Sequence, residues 1–184
     1  KQTGTAQLLY ADDYSSYLVA PQDSTGYGGN YTWDSQWYVG LGPYLGLSNW
    51  RRGMGLTAAQ SQAYKLRCPV NPANIASTSY IGIGMNRLLP PNDIFSANFA
   101  LQCITYPRLA LIQTASQKPL NADGRPTYDL GNYWSIGQVG DESQYYKLDH
   151  MRHSGGANIL YCDGHVIWES SSSILQKASA NRVY

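Results

Sequence analysis

All three histidines, His150, His153 and His165, fall in one stretch near the C-terminal end, with Asp149 and Asp163 beside them. Imidazole is both the commonest side-chain metal ligand and the usual general base, and a nearby carboxylate can orient it. A metal centre or a hydrolase site is therefore the first chemistry to weigh. Spacing argues against a local site. Asp163-Gly164 stands between two β-rich runs and predicts a two-residue hairpin turn, while His153 precedes the first run at the end away from that turn. With a rise of roughly 3.3 Å per residue, about six strand residues separate His153 from the turn by some 20 Å. His153 and His165 are not expected to share an ion. The expected roles are structural: Asp163 makes the turn and His153 hydrogen-bonds a neighbouring loop. A hydrolase built on His150, His153 or His165 would need a nucleophile within hydrogen-bond reach of one of them in a pocket.

The other candidates are weaker. Gly82-Ile83-Gly84 lacks the third glycine and the strand-to-helix setting of a dinucleotide fingerprint, and the chain contains no GxSxG, HExxH, GKS or GKT. Asp12-Asp13 are adjacent, so on a helix they point about 100° apart and read as a solvated helix end. Ser154-Gly155-Gly156 offers backbone amides to an anion, but it serves equally as a flexible approach to a strand. Cys68, Cys103 and Cys162 contain no CxxC, so a structural zinc site is not expected, and one disulfide with a free thiol competes with three buried thiols. No catalytic, cofactor or metal residue is assigned. The structural motif is His153, Asp163, Gly164 and His165.

Composition narrows the class. Thirteen Lys and Arg against twelve Asp and Glu leave a net charge of +1 over 184 residues. Phosphate-backbone binding needs clustered basic excess, so nucleic acid is not an expected partner, and Arg51-Arg52 reads as a solvated pair. Sixteen Tyr and five Trp against two Phe suit shallow cores and surfaces that pack on other chains. Eighteen Gly and nine Pro predict many turns and long loops. No apolar run is long enough to span a bilayer.

The elements follow from periodicity. Ala6, Leu9, Tyr10, Asp13, Tyr14 and Tyr17 predict a helix from about Gln2 to about Asp13, and the lack of a capping residue suggests that it continues upstream of Lys1. Ala20-Pro21 closes that segment. Gln22 to Thr32 reads as loop. Asp34 caps a short helix toward Tyr44-Leu45 with Gly46 as its stop, and Thr57 caps a second one before Cys68-Pro69. Ser79 to Met85 and Leu109 to Thr114 are strand candidates, and Lys118 to Leu148 reads as extended loop. Ala157 to Cys162 and His165 to Glu169 form the last hairpin, with Ile159, Tyr161, Val166 and Trp168 on one apolar face. SSSILQKA closes the chain as a short helix.

These residues reach a known family. His153, nine residues, then Asp163-Gly164 reproduces the H-X9-DG signature of bacterial prepilin-type proteins. QTGTAQLLYADDYSSYL resembles the emergence of that family's long N-terminal helix, and TWDSQWYVGLGPYLG its aromatic helix. KLRCPVNP is similar to its "CP" segment, SYIGIGMN to its "SY..N" strand, and YPRLALIQTAS to the strand ahead of the last hairpin. The matches run in order over most of the chain. A GFTLIE-like cleavage site and apolar helix, present in prepilins, are not in the sequence.

The resemblance to general secretion pathway G-type pseudopilins and type IV pilins implies an α+β fold, with an N-terminal helix packed on a small antiparallel sheet. It implies a single domain over residues 1–184: the end of the helix in 1–18, loops and short helices in 19–78, and the sheet region in 79–184 with its hairpin at 157–169. It also implies a non-enzymatic filament subunit of a type II secretion or type IV pilus-like system. Such a subunit is anchored in the inner membrane with its head in the periplasm, or sits in an extracellular filament, and contacts other pilin-like subunits and assembly machinery. Calcium enters by resemblance alone, with ligands that do not map residue by residue. A second expectation is an envelope-exposed module that binds glycan or polymer through Tyr27, Tyr31, Trp33, Trp50, Tyr133 and Trp134.

Overall fold

A computed structural model describes residues 2–19, 40–46, 68, 70, 83–86, 89, 107–124 and 148–179. The expected helix after Thr57, the Asp34 cap, Cys103 and the six aromatics of the glycan reading lie outside these residues. The described elements are helix α1 (Gln2–Asp13), a 3-10 turn at Gly42–Leu45, strand β1 (Ile83–Met85), 3-10 turns at Leu109–Leu111 and Ala115–Gln117, strands β2 (Pro119–Asp123), β3 (Gly156–Tyr161) and β4 (Val166–Ser170), and helix α2 (Ser171–Ser179). The strands form one antiparallel sheet in the order β1-β2-β3-β4. An α+β architecture with an N-terminal helix and a small antiparallel sheet is therefore present.

Helix α1 occupies the span its periodicity predicts. It ends at Asp13, as expected, and the chain then turns through Ser15 and Ser16, whose φ values of 54° and 69° are left-handed. The Ser16 N–H returns to Ala11 O at 2.7 Å and satisfies a terminal carbonyl. Gly46 stops the 3-10 turn before it with φ 71°, as expected of a glycine at that position. The residues whose spacing predicts the helix do not all face the core. Ala6, Tyr10 and Ala11 are buried, but Leu9 is 49% and Tyr17 40% exposed. Tyr17 instead pairs with Arg108 through a backbone bridge and lies under its guanidinium.

The middle of the chain differs from expectation in two places. Leu109–Leu111 is a 3-10 turn rather than a strand. Pro119–Asp123, expected as loop, is an inner strand of the sheet with every residue buried. Proline is tolerated there because it is the first residue of the strand, where no ladder donor is needed. A bulge places Leu120 and Asn121 together opposite Leu160. Only Ile83–Met85 of the predicted 79–85 strand falls among the described residues.

The hairpin forms, but in another register. A two-residue turn would oppose Cys162 to His165. The loop instead has three residues, Cys162, Asp163 and Gly164. Gly164 N–H donates to Tyr161 O and Tyr161 N–H to His165 O, both at 2.9 Å, and only Gly164 of the three takes a positive φ, 89°. This is a type I turn followed by a left-handed glycine. Leu160 therefore faces Val166, Ile159 faces Ile167, and Asn158 faces Trp168. The one-residue slip exchanges the faces of β4 relative to β3.

The sheet thus sits between two helices. On one side Leu120, Leu160 and Cys162 pack with Ala6, Tyr10 and Ala11 of α1, joined by Leu18, Leu41 and Met85. On the other side Ala122, Ala157, Ile159 and Tyr161 pack with Ile174 of α2. Buried Glu169 ties this second layer together: it accepts from the Tyr161 hydroxyl, from Lys177 Nζ at 2.7 Å and from Ser173 Oγ at 3.3 Å. Burial, then the bond to Glu169, raises the Tyr161 phenol above its ordinary range.

Cys162 is fully buried, and burial pushes its thiol from 9.0 up to about 12, with nearby Asp163 adding to the rise. The unfolded thiol ionises first, so this contribution to stability is complete below pH 9.0 and is lost as pH rises through about 12. Urea denaturation across this range should show a steeper alkaline loss in the native chain than in Cys162→Ala. Equal slopes would show that burial does not hold the thiol neutral.

Candidate functional site

The residues of the sequence motif divide between the two ends of β3. At the turn, the Asp163 carboxylate accepts from the His165 backbone N–H at 3.1 Å and lies 2.6 Å from His165 Nδ1. Partial desolvation opposes ionisation of Asp163, but these hydrogen bonds outweigh it and hold the carboxyl below its ordinary value. The turn also receives the helix. A Cβ on Gly164 would lie 2.6 Å from Leu8 Cδ1, and one on Gly4 would lie 2.7 Å from Leu160 Cδ1 and 3.3 Å from Gly164 O. Glycine at both positions lets α1 approach the hairpin this closely.

At the other end, the chain approaches β3 through a turn built on Arg152. Its side chain, 2% exposed, donates through Nε to Asp149 at 3.0 Å, and the guanidinium reaches Asp149 again at 2.9 Å and the Gly124 carbonyl. Asp123 Oδ1 lies 4.0 Å from the same group. His153 N–H donates to Gly156 O at 3.0 Å, and His153 O accepts the Trp168 indole N–H at 2.8 Å. These bonds fix the backbone of His153 and leave its ring directed at two residues from remote segments. Nε2 lies 3.5 Å from Cys68 Sγ and 3.3 Å from Asp123 Oδ1. The ligand atoms of Cys68, Asp123 and His153 all lie within 4.8 Å of one another. Asp123 and Cys68 are buried and His153 is partly so. Asn158 orients Asp123, donating to Oδ2 from its backbone N–H at 2.7 Å and from Nδ2 at 3.3 Å.

Two histidines therefore have nucleophile-type partners, a condition the sequence left open for a hydrolase. His150 Nδ1 lies 2.7 Å from Ser171 Oγ, and His153 meets Cys68. Neither arrangement is a relay. In a nucleophile–histidine–acid relay the two ring nitrogens serve different partners, whereas His153 presents Nε2 to both. Ser171 opens α2, and its N–H donates to Gly155 O at 2.8 Å, so its contact with His150 pins the start of that helix. A cleft of about 100 Å³ between α1 and the sheet is lined by Thr3, Gly4, Asn121, Asp123 and Asn158, among others, but by none of the histidines.

His153, expected to stand apart from His165, has neighbours that the sequence does not reveal. Cys68 lies 85 positions away, and Asp123 sat in a stretch read as loop. The available signal is the alternation of apolar Leu120 and Ala122 with polar Asn121 and Asp123, at the start of a polar stretch whose Asp123-Gly124 and later glycines read as loop.

Comparison with known proteins gives no match to a family model, to a curated protein or to a solved structure. Among the described residues, no helix is long and apolar enough to cross a membrane. Calcium, implied only by the family resemblance, does not fit the cluster: it takes six to eight oxygen ligands, whereas Cys68 and His153 offer sulfur and nitrogen.

Proposed function

We propose that this chain is a pilin-like structural subunit of a type II secretion or type IV pilus-like system. In this reading it is a G-type pseudopilin relative, held in the inner membrane by a helix that continues α1, with its head in the periplasm. The observation that carries the reading is the seating of α1 on the H-X9-DG hairpin through Gly4, Leu8, Leu160 and Gly164. The motif then has a mechanical purpose. Its glycine end accepts the helix, and its histidine end ties the opposite rim of the sheet to segments around Cys68 and Asp123.

One face of α1 docks, and Gln2, Thr5, Leu9 and Asp12 on the other stay exposed. These positions recur at helical spacing and form one stripe. In a filament that stripe would meet neighbouring subunits. Repeated heterologous contacts of this kind build an open fibre rather than a closed ring. No catalytic step is part of this reading.

The complete gene product tests it. The expected result is a cleavage motif followed by about 20 apolar residues ahead of Lys1, with the mature N-terminus found by mass spectrometry in the membrane fraction. A different folded domain ahead of Lys1, or a mature protein confined to the cytoplasm, would contradict it.

A further inference from the structure

We propose that Cys68, Asp123 and His153 form a binding site for a zinc-class divalent ion, with the fourth position taken by water. The distances carry the argument. In tetrahedral zinc sites, ligands stand about 2.3 Å (S), 2.0–2.1 Å (N) and 2.0–2.2 Å (O) from the metal. The corresponding tetrahedral edges are about 3.6 Å between S and N and about 3.4 Å between N and O. The observed separations are 3.5 Å for Cys68 Sγ to His153 Nε2 and 3.3 Å for His153 Nε2 to Asp123 Oδ1. A direct charge-assisted bond between imidazole and carboxylate would close to about 2.7–2.9 Å. The histidine is thus spaced from its partners as a ligand in a shared shell is spaced, with a single nitrogen facing both.

The surroundings agree in charge and in support. A divalent ion with one thiolate, one carboxylate and a neutral imidazole is a neutral unit. It can therefore sit beside Arg152, whose guanidinium is already held by Asp149. Asn158 fixes Asp123 through Oδ2 and leaves Oδ1 for the ion. Such outer contacts are what orient metal ligands elsewhere. Mixed sulfur, nitrogen and oxygen donors select zinc-class ions over calcium and magnesium. The ligands come from three segments remote in sequence, so the ion would cross-link the rim of the sheet. This inference is independent of filament assembly.

The test is a titration of the purified, metal-stripped chain with Zn²⁺ by calorimetry and with Co²⁺ by absorbance. One equivalent is expected to bind, the cobalt form showing thiolate charge transfer and a tetrahedral visible band, with a rise in melting temperature. Cys68→Ser and His153→Ala should each weaken binding by on the order of 100-fold or more, beyond the loss seen for outer-sphere changes. Cys162→Ser, which alters a buried thiol outside the cluster, should bind as the native chain does. Circular dichroism of each metal-free variant separates lost ligation from lost folding, and Asp123→Asn offers a milder ligand change. Absence of binding by the folded chain, or cobalt spectra unchanged in Cys68→Ser, would overturn the assignment.

Discussion

Gly156→Val should lower stability by about 3 kcal/mol or more, the upper end of what overpacking costs. A Cβ at this position would lie 2.4 Å from the Glu169 carbonyl oxygen and 2.4 Å from Trp168 Cε2. The first of these atoms is backbone of the neighbouring strand, so relief requires β3 and β4 to separate. Valine gains some strand propensity, but that scale spans only about 1 kcal/mol, so the clash dominates. Gly155→Ala is the informative contrast. Gly155 has φ 78°, yet a Cβ there meets nothing within 4 Å, and the left-handed conformation alone costs about 1–2 kcal/mol. Urea denaturation of both variants decides the order. A Gly155→Ala loss larger than that of Gly156→Val would show that the strand contact is not the governing constraint.

Arg152→Leu should cost about 3–5 kcal/mol, the range for breaking a buried ion pair by removing one partner. The substitution leaves the Asp149 carboxylate, the Gly124 carbonyl and the neighbouring Asp123 without the cation they surround. Lysine should not restore the loss, because a single ammonium cannot reproduce the forked contacts of the guanidinium. Removing the other partner as well, in Arg152→Leu/Asp149→Leu, should recover part of the stability, since the uncompensated charge disappears with it. Chemical denaturation at neutral pH measures all three. A loss below about 1 kcal/mol, the level of an exposed pair, would mean that the arginine is not acting as a buried hub.

The elements legible in the sequence were those whose information is local. Helix α1 is set by apolar spacing, Gly46 by its need for a left-handed backbone, and α2 by the run after Glu169. The hairpin was legible as a hairpin but not in its register. Asp-Gly fits both a two-residue turn and a three-residue loop, and only the bonds of Gly164 and Tyr161 distinguish them. That single residue decides whether Val166 and Trp168 share a face with Ile159 or with Leu160. Strand β2 was hidden because its five residues open a long polar stretch, Lys118 to Leu148, in which Asp123-Gly124 and three later glycines signal turns. The cluster at His153 was illegible for a different reason. Its partners, Cys68 and Asp123, come from distant parts of the chain, and no local spacing encodes such a meeting.

In the proposed assembly, α1 binds the hairpin with one face and other subunits with its opposite face. A photo-crosslinking amino acid placed at Leu9, which is 49% exposed on the free face, tests this in cells that produce the complete gene product. Irradiation is expected to give covalent multimers of the chain, or adducts with other pilin-like subunits, in the membrane or sheared filament fraction. Crosslinks should disappear when assembly is blocked. A Leu9 probe that yields only monomer in cells with an active secretion or pilus system would contradict the proposed assembly.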